Sequence, residues 1–217
     1  MKISPSVLAC DFTKMGEEIV KVSNAGADMI HLDIMDGIFV PNISFGPAIV
    51  KSLRAKTSLP FEVHLMINNP LNYIEEFINS GADIITFHLE SNSNIMNTIE
   101  KIKSLNKKVG ISIKPKTDPS LIFPYLKYLD LVLIMTVEPG FGGQKLMECQ
   151  LHKTTILKQE IMRQSLNVLI EIDGGVNTNN IQLIKNYPVD ICVSGTCIFK
   201  AYNIKKTVKF LKLGGQL

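Results

Sequence analysis

Ala27-Asp28-Met29-Ile30-His31-Leu32-Asp33-Ile34-Met35-Asp36-Gly37 starts on a small residue and an aspartate, runs on as an apolar stretch and ends on glycine. Its opening returns as Ala82-Asp83-Ile84-Ile85, Leu129-Asp130-Leu131-Val132 and Val189-Asp190-Ile191-Cys192, at spacings of 55, 47 and 60 residues. Other strand-like runs lie between the copies: Lys2 to Ser6, Phe61 to Met66, Val109 to Ile113 and Val168 to Asp173. The total is eight strands about 25 residues apart, separated by amphipathic stretches such as Met15 to Ala25, Pro70 to Ser80 and Ile95 to Leu105. Continuously apolar strands alternating with helices imply a parallel sheet covered on both faces. Eight such units predict an α/β fold, a closed (β/α)8 TIM barrel, as a single domain over residues 1–217. An open doubly wound sheet lacks support, because no G-x-G-x-x-G follows the first strand.

Composition narrows the class. Hydrophobic residues are 46% of the chain and charged residues 20%, as in a soluble globular enzyme. The net charge of +3 is small and the basic residues are dispersed, which argues against a nucleic-acid partner and suits an anionic small molecule. No apolar run approaches the ~18 residues of a membrane span, so no membrane partner is expected. Leu8-Ala9-Cys10 follows too short an apolar stretch, interrupted by Pro5, to end a signal peptide. Cys10, Cys149, Cys192 and Cys197 form no C-x-x-C pair and no disulfide framework. Reduced thiols and a cytoplasmic location are expected.

Side chains alternate faces along a strand, so His31, Asp33 and Met35 share one side. His64-Leu65-Met66 closes the next apolar run and Asp173 ends the seventh strand. Unpaired, such groups would each cost several kcal/mol to bury, and a bound metal removes that cost. His31, Asp33, His64 and Asp173 are therefore candidate ligands for one divalent ion, Zn²⁺ or Fe²⁺ first, with Mn²⁺ or Co²⁺ also compatible. In such a barrel these strand ends form the catalytic mouth. Three glycine-rich loops follow the last strands: Gly140-Phe141-Gly142-Gly143, Gly174-Gly175 and Gly195-Thr196. Loops in these places bind phosphate through backbone N–H groups, and glycine permits the close approach. Metal and phosphate together point to a phosphosugar. Asp33 and Asp173, from opposite sides of the mouth, would exchange protons on the two faces of one carbon. A metal holding adjacent oxygens would stabilise the enediolate between them. That chemistry is epimerisation alpha to a ketone. Met35, Met66 and Met135 are expected to form an apolar collar.

These segments resemble those of the ribulose-phosphate 3-epimerase family over essentially the whole chain. The carriers are Ser4 to Leu8 with Asp11-Phe12, His31 to Asn42 continuing to Pro47, Val63 to Met66, His88-Leu89-Glu90, Met135 to Gln144, Asp173 to Asn177 and Ser194 to Thr196. The resemblance implies an enzyme of the pentose phosphate pathway that interconverts D-ribulose 5-phosphate and D-xylulose 5-phosphate at C3. It implies that His31, Asp33, His64 and Asp173 bind the metal and that Asp33 and Asp173 are the acid/base pair. It further implies that Ser6 and His64 touch substrate and that the glycine loops hold its phosphate. Ser194, Leu146 and Cys10 depart from the residues common in the family, and none of them is a proposed ligand. A supporting part is expected for His88 and Glu90, and a homo-oligomer is expected for the whole. An allulose-6-phosphate 3-epimerase and a non-catalytic phosphosugar-binding barrel remain open as alternatives.

Overall fold

The structure, a computed structural model, describes residues 1–216. Its eight strands are β1 (Lys2–Pro5), β2 (Ile30–Met35), β3 (Phe61–Met66), β4 (Ile84–His88), β5 (Lys108–Ile113), β6 (Leu131–Met135), β7 (Leu169–Asp173) and β8 (Ile191–Ser194). All neighbours pair in parallel, β2 through β8 in sequence order and β8 back to β1. A bridge between Ser6 and His31 spans the remaining seam. Eight parallel strands with helices between them thus form a nearly closed barrel, as the strand spacing predicted.

The helices are α1 (Met15–Asn24), α2 (Pro47–Arg54), α3 (Ile74–Asn79), α4 (Ile95–Ser104), α5 (His152–Arg163), α6 (Ile181–Ile184), α7 (Thr196–Phe199) and α8 (Ile204–Lys212). Several connections carry 3₁₀ turns, two of them in place of helix. The stretch expected from Pro70 to Ser80 begins as a 3₁₀ turn over Pro70–Asn72 before α3. After β5 the chain winds through 3₁₀ turns over Pro119–Tyr128, because Pro124 lacks the N–H that an α-helix would need there.

Outward side chains such as Leu32, Val63, Ile85, Ile111 and Ile170 pack beneath the helices in the main core. Inside the barrel, Met29, Ile84, Leu131 and Ile191 form a separate apolar floor. Above it the interior turns polar, with Ser4, His31, Glu62, Thr86, Ser112 and Glu171 all at 0% exposure. The site stands on this layer.

The recurring aspartates have a common structural cause. Asp28, Asp83, Asp130 and Asp190 each precede an even-numbered strand, and each accepts a backbone N–H from the start of the strand before it. The donors are Ile3, Phe61, Val109 and Ile170, at 2.8–2.9 Å. The aspartate N–H groups return bonds to the carbonyls of the same four residues. These amides, the first or second of their odd-numbered strands, lie at the barrel bottom, and a carboxylate satisfies each.

Candidate active site

β2 supplies His31 from its second residue and Asp33 from its fourth, β3 supplies His64, and the C-terminal end of β7 supplies Asp173. His31 Nε2 and His64 Nδ1 lie 3.3 Å apart. Asp33 Oδ1 is 3.2 Å from the first and 3.1 Å from the second. Asp173 Oδ2 approaches the same two nitrogens to 3.8 and 3.9 Å. The four donor atoms all lie within 4.8 Å of one another. Two imidazole nitrogens and two carboxylate oxygens converging on one point fit a divalent ion that accepts mixed N/O ligands.

The surroundings shift the two carboxylates in opposite directions. Burial alone would raise the Asp33 pKa, but the facing His31 and His64 imidazoles keep it well below the usual carboxylate range. Ser6 Oγ donates to Asp33 Oδ2 at 2.6 Å and leaves Oδ1 for the cluster. Asp173 is pushed up to about 6 by burial and by the nearby Asp33 charge. Such a pair, driven apart by its surroundings, can serve as one base and one acid at the same pH. The Thr136 hydroxyl lies 2.9 Å from the Asp173 carbonyl and 2.7 Å from that of Gly174, which fixes the end of β7.

A cavity of about 330 Å³ opens above the cluster. Asp33 and Asp173 reach its wall, as do Ser6 and the methionines Met35, Met66 and Met135. Gly140, Phe141, Gly142, Gly143, Gly174, Gly175, Gly195 and Thr196 complete the far side. Every expected collar and loop residue is therefore at one cavity. His31 and His64 are not part of the wall; both are at 0% exposure behind the carboxylates. The glycines differ in what they face. A Cβ on Gly175, at φ +72°, would lie 2.3 Å from the Leu146 backbone nitrogen, so this glycine is demanded by the neighbouring loop. Gly142 has nothing within 4 Å of such a Cβ, and its backbone lies open toward the cavity.

Two buried glutamates inside apolar runs back the site. Glu62 lies two residues before His64 and Glu171 two before Asp173, so the strand period turns both inward. Glu62 Oε2 is 3.2 Å from His31 Nδ1, and Thr86 Oγ1 donates to Glu62 Oε1 at 2.7 Å. Burial and the Glu62 charge push the Glu171 carboxyl well above its ordinary range, which favours its neutral form. His88 and Glu90, expected to support the site, stand behind His64. His88 is lowered to about 4, chiefly by burial. Glu90 is lowered to about 2 against the effect of burial, by hydrogen bonds from His88 and Thr117.

The fold and site together define a (β/α)8 barrel with an acidic, histidine-bearing metal-type mouth and a glycine-lined cavity. Residues 2–199 match the Ribulose-phosphate 3 epimerase family, and the chain belongs to it. It is 43% identical to the ribulose-phosphate 3-epimerase of Aquifex aeolicus, covering 97% of this chain and 95% of that protein. With the Bacillus subtilis ribulose-phosphate 3-epimerase it shares 41% identity over 98% of both chains. The chloroplastic ribulose-5-phosphate-3-epimerase of Arabidopsis thaliana is 42% identical over 97% of this chain and 75% of its own length. Among solved structures, the 3-hexulose-6-phosphate synthase of Salmonella typhimurium superposes with a TM-score of 0.74 at 14% identity, covering 99% of this chain and 98% of that one. That likeness is one of fold.

Proposed function

We propose that this chain is a metal-dependent 3-epimerase of the pentose phosphate pathway that interconverts D-ribulose 5-phosphate and D-xylulose 5-phosphate, with the catalytic barrel spanning residues 1–217. The observation that carries this reading is the meeting of Asp33 and Asp173, from β2 and β7, on one cavity wall above a shared donor cluster. Family membership supports the substrate class.

One divalent ion would be held by His31 Nε2, His64 Nδ1 and the carboxylates of Asp33 and Asp173. Zn²⁺ and Fe²⁺ suit this donor set best, and Mn²⁺ and Co²⁺ are compatible with it. When bound, it supplies Lewis-acid stabilisation of the negative charge that develops on the sugar oxygens. The residues of the chain do the proton chemistry. One ionised aspartate takes the C3 proton, and the C–H electron pair becomes the C2–C3 double bond of an enediolate. The other aspartate, protonated beforehand, returns a proton to C3 on the opposite face. The surroundings of Asp33 favour the charged role at the outset and those of Asp173 the protonated one. The open backbone at Gly142–Gly143, with Gly174–Gly175 and Gly195–Thr196, would hold the phosphate. Met35, Met66 and Met135 exclude water around the reacting carbon. Free Cys10, Cys149, Cys192 and Cys197 support a reducing, cytoplasm-like compartment.

The test is turnover of D-ribulose 5-phosphate in D₂O with no added dinucleotide, before and after chelation. The expected result is D-xylulose 5-phosphate labelled at C3, lost on stripping and regained with Zn²⁺, Fe²⁺, Mn²⁺ or Co²⁺. Absence of conversion of any ketopentose phosphate would refute the activity, and full activity in rigorously metal-free protein would refute the role of the ion.

A further inference from the structure

The two histidines of the cluster present opposite ring nitrogens, Nε2 from His31 and Nδ1 from His64. Behind His31 a carboxylate is in direct contact, because Glu62 Oε2 meets Nδ1. Behind His64 there is another imidazole instead. His64 Nε2 lies 2.9 Å from His88 Nε2, and His88 Nδ1 lies 3.2 Å from Glu90 Oε2. The His64 and His88 rings meet edge to edge, with centroids 5.0 Å apart and planes 28° apart. Phe39 packs on His88 with centroids 4.8 Å apart and itself carries Lys114 Nζ at 3.8 Å.

Two ring nitrogens in contact can form a hydrogen bond only if one carries the proton and the other is bare. The other end of the chain decides which. An ionised Glu90 only accepts. Its Oε1 takes the Lys114 N–H at 2.8 Å and the Thr117 hydroxyl, which leaves Oε2 for His88. His88 must then carry its proton on Nδ1 and present a bare Nε2. His64 in turn must carry its proton on Nε2, and its Nδ1 keeps a lone pair aimed between Asp33 and Asp173.

We propose that His88 and Glu90 are positioning residues that fix the tautomer of His64 through a directed hydrogen-bond relay, so that Nδ1 is ready to bind the ion. This inference rests on the metal reading of the mouth. Neither residue lines the cavity, so neither touches substrate. The relay gives the two ligand histidines equivalent carboxylate backing by different routes, as ligand orientation requires.

Glu90→Gln tests the direction of the relay. The amide oxygen can keep the Lys114 and Thr117 bonds while its NH₂ donates to His88 Nδ1. His88 is then turned round, and its Nε2–H faces the His64 Nε2–H. Zn²⁺ affinity, measured by chelator competition, should fall at least about 10-fold. In the Zn²⁺-loaded wild type, ring ¹⁵N shifts should show His88 protonated at Nδ1 and bare at Nε2. A proton on His88 Nε2 in that sample would overturn the relay, as would Zn²⁺ affinity within about twofold of wild type in folded Glu90→Gln. The wild-type spectrum decides the matter even if the variant does not fold. His64→Ala separates the two claims: if it leaves Zn²⁺ affinity unchanged, the metal reading fails and the relay with it. If His64→Ala weakens binding and Glu90→Gln does not, the relay alone fails.

Discussion

Aspartates mark both ends of this barrel, and they do opposite work. At the bottom, Asp28, Asp83, Asp130 and Asp190 repeat one arrangement four times, each holding an amide at the start of the preceding odd strand. At the mouth, Asp33 and Asp173 occupy no repeating position, and each faces imidazoles and the other's charge. The bottom set stabilises by satisfying donors that would otherwise be buried and bare. The mouth set crowds like charges at a cavity wall, an arrangement a purely structural site would avoid. Regularity at one end and irregularity at the other set the aspartates of the fold apart from those proposed for the chemistry.

The largest effect expected from breaking that contrast is at the mouth. Asp33→Asn and Asp173→Asn keep the size of the side chain and remove a proton-transfer group. Each should lower kcat at least about 10²-fold on D-ribulose 5-phosphate. Thermal stability should hold or rise in Asp173→Asn, where burial and the Asp33 charge disfavour the ionised carboxyl, and fall in Asp33→Asn, whose charge the His31 and His64 imidazoles stabilise. Steady-state kinetics beside a melting curve checks both halves.

At the bottom the balance should invert. Asp130→Ala leaves the Val109 amide without its charged acceptor, and no cation pairs with Asp130 among the described residues. The loss should be about 1.5–3 kcal/mol of stability, the range for hydrogen bonds to charged groups. For a chain of this size each kcal/mol corresponds to about 2–4 °C of melting temperature. The kcat should stay within about twofold of wild type, because Asp130 lies at the far end of the barrel from the cavity; denaturant melts and a turnover assay report the two quantities. A large loss of kcat in a folded Asp130→Ala protein would dissolve the division between the ends.

The smallest effect sharpens the same division within the bottom set. Asp28 also pairs with Lys212 at 2.8 Å, both side chains partly exposed. Lys212→Met should cost less than about 1 kcal/mol in a denaturant melt, because exposed ion pairs contribute little. The Asp28 bond to the Ile3 amide should persist, visible as slow hydrogen exchange at Ile3. Fast exchange there would mean that the lysine, not the aspartate, holds the strand end.

The repeat that organises the bottom was legible in the sequence because one side chain solves one problem at four places. Its cause was not, since the acceptor of each bond lies some 20 to 25 residues from its donor and only the pairing of strands brings them together. The candidate cluster was legible for a related reason: His31 and Asp33 sit two apart, and His64 and Asp173 lie toward the ends of their strands. Glu62 and Glu171 were hidden inside apolar runs, though counting back by two from His64 and Asp173 points to both. The His64–His88 contact needed the structure. It depends on a register in which His64 pairs with Thr86, placing His88 one inward step above it. Pro124 explains the 3₁₀ path after β5 once that path is seen, but a proline alone does not distinguish a loop from a tightened helix.

The central claim is that Asp33 and Asp173 are two separate bases working on opposite faces of one carbon. Single-turnover exchange in D₂O, started from each epimer in Asp33→Asn and in Asp173→Asn with metal occupancy measured alongside, tests it most directly. The account predicts opposite asymmetry: C3 exchange survives better from one epimer in the first variant and from the other in the second. Near-normal turnover from both epimers in both variants, with the metal retained, would contradict it.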